Sequence, residues 1–284
     1  MIVHPSRRGG RLESRDARRA GWACALALVA LVGCAPMPAG LSFERDATWP
    51  AAELLLLGEQ HDARQHQRLA ARVTAHLAGQ GRLAAVALEM AERGRSTAGL
   101  PAAASEAQAR AALAWDERGW PWSAYGPIVM SAVRAGVPVV GANLPRAALR
   151  EAAGDASLDA TVEPAVHERL VTDVREGHCG LLPESQWPGM TRVQIARDRA
   201  LANTLQALAR PGQVALLVAG ANHVDASRGA PLHLRAAGAP RLRTVQLAAG
   251  GEVGAGAVGF DETWPTPALE RPDPCKGLAE RLPR

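Results

Sequence analysis

The chain has 284 residues, 48% of them hydrophobic and 21% charged, a composition that excludes a disordered tail, a collagen and a small disulfide-stapled toxin. Its formal net charge of +4 and sequence pI near 9.3 raise the question of a nucleic-acid partner. Residues 1–33 contain six arginines and two acidic residues, however, which leaves 26 positive and 26 negative groups in the rest of the chain. The balanced remainder, without a basic patch, excludes a nucleic-acid-binding class.

The N-terminus has the order of segments found in a secretory signal. An arginine-rich stretch is followed by an uncharged run over residues 20–33, which is shorter than the roughly 20 apolar residues that span a bilayer. Leu-Val-Gly-Cys at 31–34 resembles the bacterial lipobox, in which the cysteine is lipidated and becomes the first mature residue. We therefore expect a lipoprotein signal peptide at 1–33, a lipidated Cys34 and a tether at 34–48. Ala35 after the cysteine favours the outer membrane of a bacterial envelope; an uncleaved anchor or an ordinary signal is the alternative.

Two cysteines remain for the folded part of the chain. The first cysteine leaves with the leader and Cys34 carries lipid, so Cys179 and Cys275 are left in an oxidising compartment. A disulfide between them would tie the C-terminal tail, residues 251–284, to the loop that contains Cys179. Two free thiols, or a metal site with His178, are the alternatives, and no zinc-ligand spacing supports the latter.

Five apolar runs have the length of buried strands: Leu54–Leu57, Ala84–Leu88, Val137–Gly141, Val214–Ala219 and Leu242–Leu247. They are continuous rather than alternating, which is typical of a parallel sheet covered on both faces. Helical patterns lie between them, at 66–77, 125–134 and 192–208. The order predicts a single α/β domain over 49–250, with a mostly parallel sheet flanked by helices and an inserted, partly helical segment at 154–190.

Polar side chains follow four of these strands: Glu59, His61 and His66, then Glu89, then Asn143 and Arg146, and finally His223. In an open parallel sheet, ligands bind outside the carboxyl ends of the strands, so these residues predict a ligand site there. Each has an ordinary structural explanation when taken alone, such as a helix cap or a surface position. The sequence contains no His-Glu-x-x-His zinc motif, no Gly-x-Ser-x-Gly elbow and no glycine-rich phosphate loop, so spacing alone does not define the chemistry.

Several short motifs carry a family resemblance: Leu-Gly-Glu-Gln-His-Asp at 57–62, Ala-Leu-Glu-Met at 87–90, Tyr-Gly-Pro-Ile-Val at 125–129, Gly-Ala-Asn-Leu-Pro-Arg at 141–146 and Val-Ala-Gly-Ala-Asn-His at 218–223. In this order, over residues 50–248, they resemble the ChaN-like haem-binding lipoproteins, which form a wider group with the Tiki proteases and the erythromycin esterases. Ala221 departs from the pattern, where a glycine is expected. The resemblance implies a haem-binding lipoprotein of the outer membrane that serves haem or iron acquisition.

The resemblance also implies a set of haem-binding residues: Tyr125, His61, His66, Glu59, Glu89, Asn143, Arg146 and His223. Ferric haem needs an axial Tyr, His, Met or Cys ligand, an apolar slot and cations or donors for its propionates. Tyr125, the only tyrosine, is either such a ligand or a helix-start residue that packs its ring into the core. Trp115, Trp120 and Trp122 likewise have two interpretations: they form a wall of the haem slot, or they are core or loop anchors.

Two functions use the same residues. The first is non-catalytic haem binding, with haem, outer-membrane lipid and an outer-membrane receptor as partners, and with a homodimer left open. The alternative is a metal-dependent hydrolase, in which Glu59, Glu89 and either His61 or His223 bind a divalent metal or activate water.

Overall fold

A computed structural model describes residues 52–239, 241–250, 258–270, 273, 275 and 276. The predicted signal peptide at 1–33, the lipidation of Cys34 and the tether at 34–48 lie outside these residues. Within the described ranges, no helix is both long enough and apolar enough to cross a membrane.

Six strands form one sheet: β1 (Leu54–Glu59), β2 (Leu83–Glu92), β3 (Val139–Asn143), β4 (Val214–Gly220), β5 (Leu242–Ala249) and β6 (Glu262–Thr266). Their order across the sheet is β3-β2-β4-β1-β5-β6. Every neighbouring pair runs parallel. The predicted single α/β domain with a mostly parallel sheet is therefore confirmed.

The helices in the described part of the chain are α1 (Arg64–Gly79), α2 (Glu106–Ala112), α3 (Trp122–Arg134), α4 (Arg146–Gly154), α5 (Pro164–Gly177), α6 (Trp187–Ala207), α7 (Ala221–Val224) and α8 (Ala230–Ala236). They cover both faces of the sheet, which explains the continuous apolar runs. Leu55 and Leu57 of β1 belong to the core cluster that contains α1 and α3. Leu54 and Leu56 belong to a second cluster, with residues of α6 and α8. Because successive side chains of a strand point to opposite faces, β1 must be apolar at every position.

The strand bounds differ from the sequence prediction. β1, β2, β4 and β5 end later than expected, so Glu59 and Glu89 lie within strands and not after them. β3 and β6 differ more. β3 begins at Val139, two residues later than expected, because Gly136 (φ 70°) and Pro138 still belong to the turn after α3. Proline has no N–H to donate to a sheet. β6 lies within the segment assigned to the tail, and its sequence contains Pro265. A proline within a sequence normally argues against a strand, because proline cannot donate a backbone hydrogen bond. β6 lies at the edge of the sheet, however, where proline is tolerated.

The segment at 154–190 contains α5 and two short 3-10 helices, Ala156–Thr161 and Glu184–Gln186. A disulfide joins Cys179, just after α5, to Cys275, and the two Cα atoms are 5.5 Å apart. The predicted pairing is therefore present. It connects the end of α5 to the chain beyond β6.

Candidate functional site

The candidate site lies where β1 and β4 end side by side. From β1 the chain continues to β2 on one side of this pair, and from β4 it continues to β5 on the other side. Ligands of open α/β sheets bind where connections diverge in this way. Glu59 and Gly220, the last residues of the two strands, are register partners. His61 and His223 follow them, so residues distant in sequence meet at one edge.

Gly58 allows this close approach of β1 and α7. A Cβ atom at residue 58 would lie 3.0 Å from the Cα of Ala221, which is tighter than nearly all real contacts. Glycine is therefore required at residue 58 for α7 to bring His223 over the strand ends.

The Glu59 carboxylate organises one half of the site. Its side chain is buried, and Tyr125 donates its hydroxyl to Oε1 at 2.6 Å. The Nδ1 atom of His61 lies 2.8 Å from the same oxygen, and the amide of Gln67 donates to Oε2. A buried carboxylate is stable only with such partners, because burial disfavours its charged form. Glu59 thus fixes the orientation of both aromatic rings.

A second chain of polar contacts runs through His223. Its Nδ1 atom lies 2.7 Å from Asp198 Oδ1, and its Nε2 atom lies 3.5 Å from Glu89 Oε1. The backbone N–H of Gly220 donates to the other Glu89 oxygen at 2.7 Å. Both carboxylates are buried, so His223 joins two elements, α6 and β2, through their acidic side chains.

These contacts determine the charge of His223. Burial lowers the pKa of His223, but the carboxylates of Glu89 and Asp198 outweigh it and raise that pKa to about 9. Burial raises the pKa of Glu89, yet His223, His61 and the Gly220 N–H together hold it below its usual value. At neutral pH the ring of His223 is therefore an imidazolium between two carboxylates. Both of its nitrogens carry protons, and it offers no lone pair to a metal.

His61 is in a different situation. Its side chain is 38% exposed, its Nδ1 atom is held by Glu59, and its Nε2 atom lies 3.8 Å from Glu89 Oε2. Its ring contacts Trp120 edge-on at 4.8 Å between centroids. Burial lowers the pKa of His61, but the Glu59 and Glu89 carboxylates outweigh it, so the pKa lies above its ordinary value. A Cβ atom at Gly220 would lie 2.9 Å from Nε2, so that glycine leaves room for the ring.

A cavity of about 640 Å³ opens at this edge of the sheet. At the strand ends it is lined by Glu59, His61, Gly220 and His223. Residues of α5 and of the turn after it also line the cavity: Leu170, Asp173, Val174, Gly177 and His178. The cavity therefore combines imidazoles, carboxylates and a few aliphatic side chains.

Tyr125 and His66 lie behind this cavity. Tyr125 is buried between Trp115 and Trp120, and burial followed by the charge of Glu59 raises the pKa of its hydroxyl far above the usual value. It is therefore a neutral donor to Glu59. His66 is fully buried; it accepts from the Gln60 N–H at 3.0 Å, and its Nε2 atom lies 2.8 Å from Thr266 Oγ1. It connects α1 to β6.

Asn143 and Arg146 are also outside the cavity lining. Asn143 Oδ1 accepts from the Leu144 N–H at 2.8 Å. The Arg146 side chain is 85% exposed, and its guanidinium lies 4.0 Å from Asp116. The structure thus brings five of the predicted residues into one contact network, Glu59, His61, Glu89, His223 and, through its bond to Glu59, Tyr125. His66, Asn143 and Arg146 lie outside it.

Three further residues were not predicted as part of the site. Asp198 lies in the middle of α6, His178 follows α5, and Gln67 lies in α1 beside His66. None of them follows a strand, so the strand-end pattern did not reveal them. For Asp198 the signal was the family resemblance, which includes Gln194 and Arg197-Asp198 on the long helix. Among the described residues, no group of three or more His, Cys, Asp or Glu side chains is arranged to hold a metal ion.

A comparison with protein families is consistent with this arrangement. The family model described as "Haem-binding uptake, Tiki superfamily, ChaN" matches residues 47–234. This match covers more than half of the chain. The chain belongs to this family.

A solved structure shows the same fold. The structure titled "Cofacial heme binding to ChaN of Campylobacter jejuni" is 24% identical, covers 78% of this chain and 91% of its own, and superposes with a TM-score of 0.61. The type III effector HopBA1 is 13% identical, covers 76% of this chain and 88% of its own, and has a TM-score of 0.46. Among curated proteins, none matches the chain.

Proposed function

We propose that this ChaN-family protein binds haem in the cavity at the ends of β1 and β4, with His61 as an axial ligand of the iron. The observation that carries the proposal is the fixed orientation of His61. Its Nδ1 atom is held at 2.8 Å by the buried Glu59 carboxylate, which leaves Nε2 as the nitrogen with a lone pair when the ring is neutral. A carboxylate behind a metal-binding imidazole both orients the ring and makes it a stronger ligand.

The other groups around the cavity fit haem as well. Leu170 and Val174, which line the cavity from α5, offer apolar surface to a porphyrin ring. Gln194 and Asn222 also line the cavity and carry amide donors for propionate oxygens. When bound, haem supplies an iron centre that takes one or two axial ligands. Tyr125 is the weaker candidate ligand, because its buried hydroxyl donates to Glu59.

The test is a titration of the full-length chain, purified in detergent, with ferric haem. We expect a saturable Soret shift, which His61→Ala weakens strongly or removes. His76→Ala is the matched control, since His76 lies on α1 away from the cavity lining. Unsaturable binding, or equal binding by wild type and the His61 variant, would contradict the proposal.

Our proposal extends to the location and partners of the protein. The leader at 1–33 and the lipobox at Cys34 support a lipid-anchored protein of the bacterial outer membrane. In that position, bound haem would be cargo for haem or iron acquisition, received from or passed to an outer-membrane receptor. We further propose a homodimer in which two chains share one haem pocket. Mass photometry with and without haem tests whether the dimer forms.

A second candidate is hydrolysis by the same site. The observation that favours it is the Glu59–His61 pair, since an imidazole oriented by a buried carboxylate is the usual general base. Glu89 and the imidazolium of His223 would then stabilise or position the substrate. Ester or peptide turnover that depends on a divalent metal and disappears in Glu59→Gln would support the hydrolase; saturable haem binding without turnover supports haem binding alone.

A further inference from the structure

We infer that the outer surface of α1 and α3 binds anionic phospholipid headgroups through an arginine face, which consists of Arg64, Arg68, Arg72 and Arg134. All four side chains are exposed. The inference goes beyond the proposed haem binding and does not depend on it. It concerns which side of the folded domain lies against the membrane.

Three of these arginines form a stripe along α1. Arg64, Arg68 and Arg72 follow one another at intervals of four residues, so they lie on one side of the helix. The 16 residues of α1 include no aspartate or glutamate. Each arginine of the stripe thus has another arginine one turn away, a spacing at which like charges repel. Arg64 is also in the first turn, where the helix dipole disfavours a cation.

The same surface continues onto α3, which packs beside α1. Leu69 and Val73 of α1 share a core cluster with Ile128 of α3. Both helices therefore bury one side against the same face of the sheet and expose the other side. α3 contains no acidic residue either, and Arg134 is its last residue.

Salt bridges do not neutralise these arginines. Arg64 donates to the hydroxyl of Ser123 at 3.1 Å, which joins the first turns of the two helices. Within the described ranges of the chain, no carboxylate forms a salt bridge with Arg64, Arg68 or Arg134. The balanced charge of the whole chain conceals this face, because its arginines are separated in the sequence and become neighbours only on the folded helices.

The acidic groups next to α3 have partners of their own. Glu106 accepts from the indole N–H of Trp122 at 2.8 Å, and Glu117 pairs with Arg110 at 2.9 Å. Trp122 is the first residue of α3, so these carboxylates lie at the start of the helix. The far end, with Arg134, remains cationic.

The helices on the other face of the sheet have a different charge pattern. α5, which packs on α6, carries three acidic residues and two arginines. Charges of both signs in alternation are usual for a surface that faces water. The surface of α1 and α3 is instead complementary to a negatively charged partner.

The place where the chain enters the fold agrees with this orientation. α1 and α3 each end shortly before a strand begins, at the edge of the sheet where β1 starts with Leu54. Residues 34–51 extend over at most about 60 Å, whereas α1 is about 24 Å long. A lipid on Cys34 therefore reaches the same surface that the arginine face contacts.

An anionic bilayer supplies the partner that the arginine face needs. Phosphate oxygens accept paired hydrogen bonds from a guanidinium group, and each arginine near the surface adds to the attraction. The proposed lipid holds the protein on the membrane, and the arginine face orients it there. Because α5 and α6 lie on the other face of the sheet, this contact does not cover the helices that line the cavity.

The test measures which side of the domain approaches a bilayer. A nitroxide spin label is attached at Ala75→Cys, one turn beyond the stripe on α1, or at Ala147→Cys on α4, both exposed and both in a Cys24→Ala background. The full-length protein is reconstituted into vesicles of phosphatidylcholine, with or without phosphatidylglycerol, that contain a nickel-chelating lipid. We expect nickel to broaden the spectrum of the label at residue 75 on anionic vesicles only, and to leave the label at residue 147 unchanged.

A charge variant and a matched control isolate the arginines. The charge variant replaces three members of the arginine face: Arg64→Gln, Arg68→Gln and Arg134→Gln. The control replaces three exposed arginines on α4, α5 and α8: Arg150→Gln, Arg169→Gln and Arg235→Gln. The charge variant should lose the broadening at residue 75, and the control should retain it. Wild type should lose it at about 1 M salt, where the Debye length falls to about 3 Å.

The outcomes separate this inference from haem binding. Equal broadening at residues 75 and 147 would overturn it, as would equal broadening on neutral and anionic vesicles. Broadening that persists in a charge variant shown to be folded by far-UV circular dichroism would also overturn it. A Soret titration of the same samples tests the proposed function independently, since the arginine face does not line the cavity.

Discussion

His61 and Gly220 form a matched pair at the centre of the site. The ring of His61 occupies the space that a Cβ atom of residue 220 would need, while Glu59 holds it from the other side. The backbone of Gly220 is in an ordinary conformation, with φ at −56°, so space and not backbone strain explains this glycine.

We predict that Gly220→Ala weakens haem binding by about 10–100-fold, because the added methyl group displaces His61 from Glu59. A haem titration measures the change. Gly79→Ala is the control, since a Cβ atom there meets nothing within 4 Å. Unchanged affinity in the folded Gly220 variant would show that the position of His61 does not matter for binding.

A second prediction concerns His223 and the stability of the fold. Its folded-state pKa of about 9 lies above the ordinary 6.5, so its stabilising effect is complete below pH 6.5 and is lost as the pH rises through 9. The stability advantage of wild type over His223→Gln should therefore shrink by about 3 kcal/mol between pH 6.5 and 10. Urea unfolding at several pH values measures it.

His233→Gln is the control for this pH dependence. Burial followed by the charge of Arg199 lowers the pKa of His233 to about 4, so His233 is neutral throughout the window from pH 6.5 to 10. Its substitution should shift stability by the same amount from about pH 7.5 to 10, where the imidazole is neutral in the folded and the unfolded state. If the difference in unfolding free energy between wild type and His223→Gln also stays constant with pH, His223 is not an imidazolium in the folded protein.

Among the elements, α5 has the most direct connection to the proposed function. Four of its residues line the cavity, and its last residues precede Cys179. The helix packs on α6 and is linked through Arg228 to the turn after α7. The disulfide adds a covalent link to the chain beyond β6.

Removing that link by the double substitution Cys179→Ser and Cys275→Ser should lower the free energy of unfolding by about 2–4 kcal/mol. The two cysteines are 96 residues apart, and closing so long a loop restricts the unfolded chain considerably. Urea denaturation of the variant and of oxidised wild type measures the loss, and wild type in reductant is the control that should match the variant. Equal stability of the oxidised wild type and the variant would mean that the link adds nothing.

For the whole molecule, the location of the charge is more informative than its total. The net charge of +4 lies in residues 1–33, which the proposed export step removes, and the remainder is balanced. The proposed anchor is then a lipid on Cys34 and not an electrostatic attraction.

We predict that Cys34→Ala abolishes incorporation of labelled palmitate and moves the protein from the membrane to the soluble fraction. Cys24→Ala, within the leader, should retain both label and membrane location. Metabolic labelling followed by fractionation measures the two effects. Label that persists in the Cys34 variant would place the lipid elsewhere or exclude it.

The sequence predicted the sheet better than it predicted the site. Five strands were recognisable because strands buried on both faces are apolar throughout, as in β1. β6 was not, because it is short and contains Pro265, and only pairing with β5 makes it a strand. At the site, Glu59 ends β1 and His61 comes two residues later, whereas Asp198 approaches His223 from a helix that is adjacent only in space.

The amino-acid sequence by itself determined the α/β class, the balanced charge beyond the leader and the polar residues at the strand ends, because these follow from local patterns and from the geometry shared by all parallel sheets. The tertiary structure decided which of those residues meet. It assigned Tyr125 and His66 to the interior, Arg146 to the surface, and His61 to the cavity. Packing between distant segments, which no local pattern encodes, determines which nitrogen atoms remain open to a ligand.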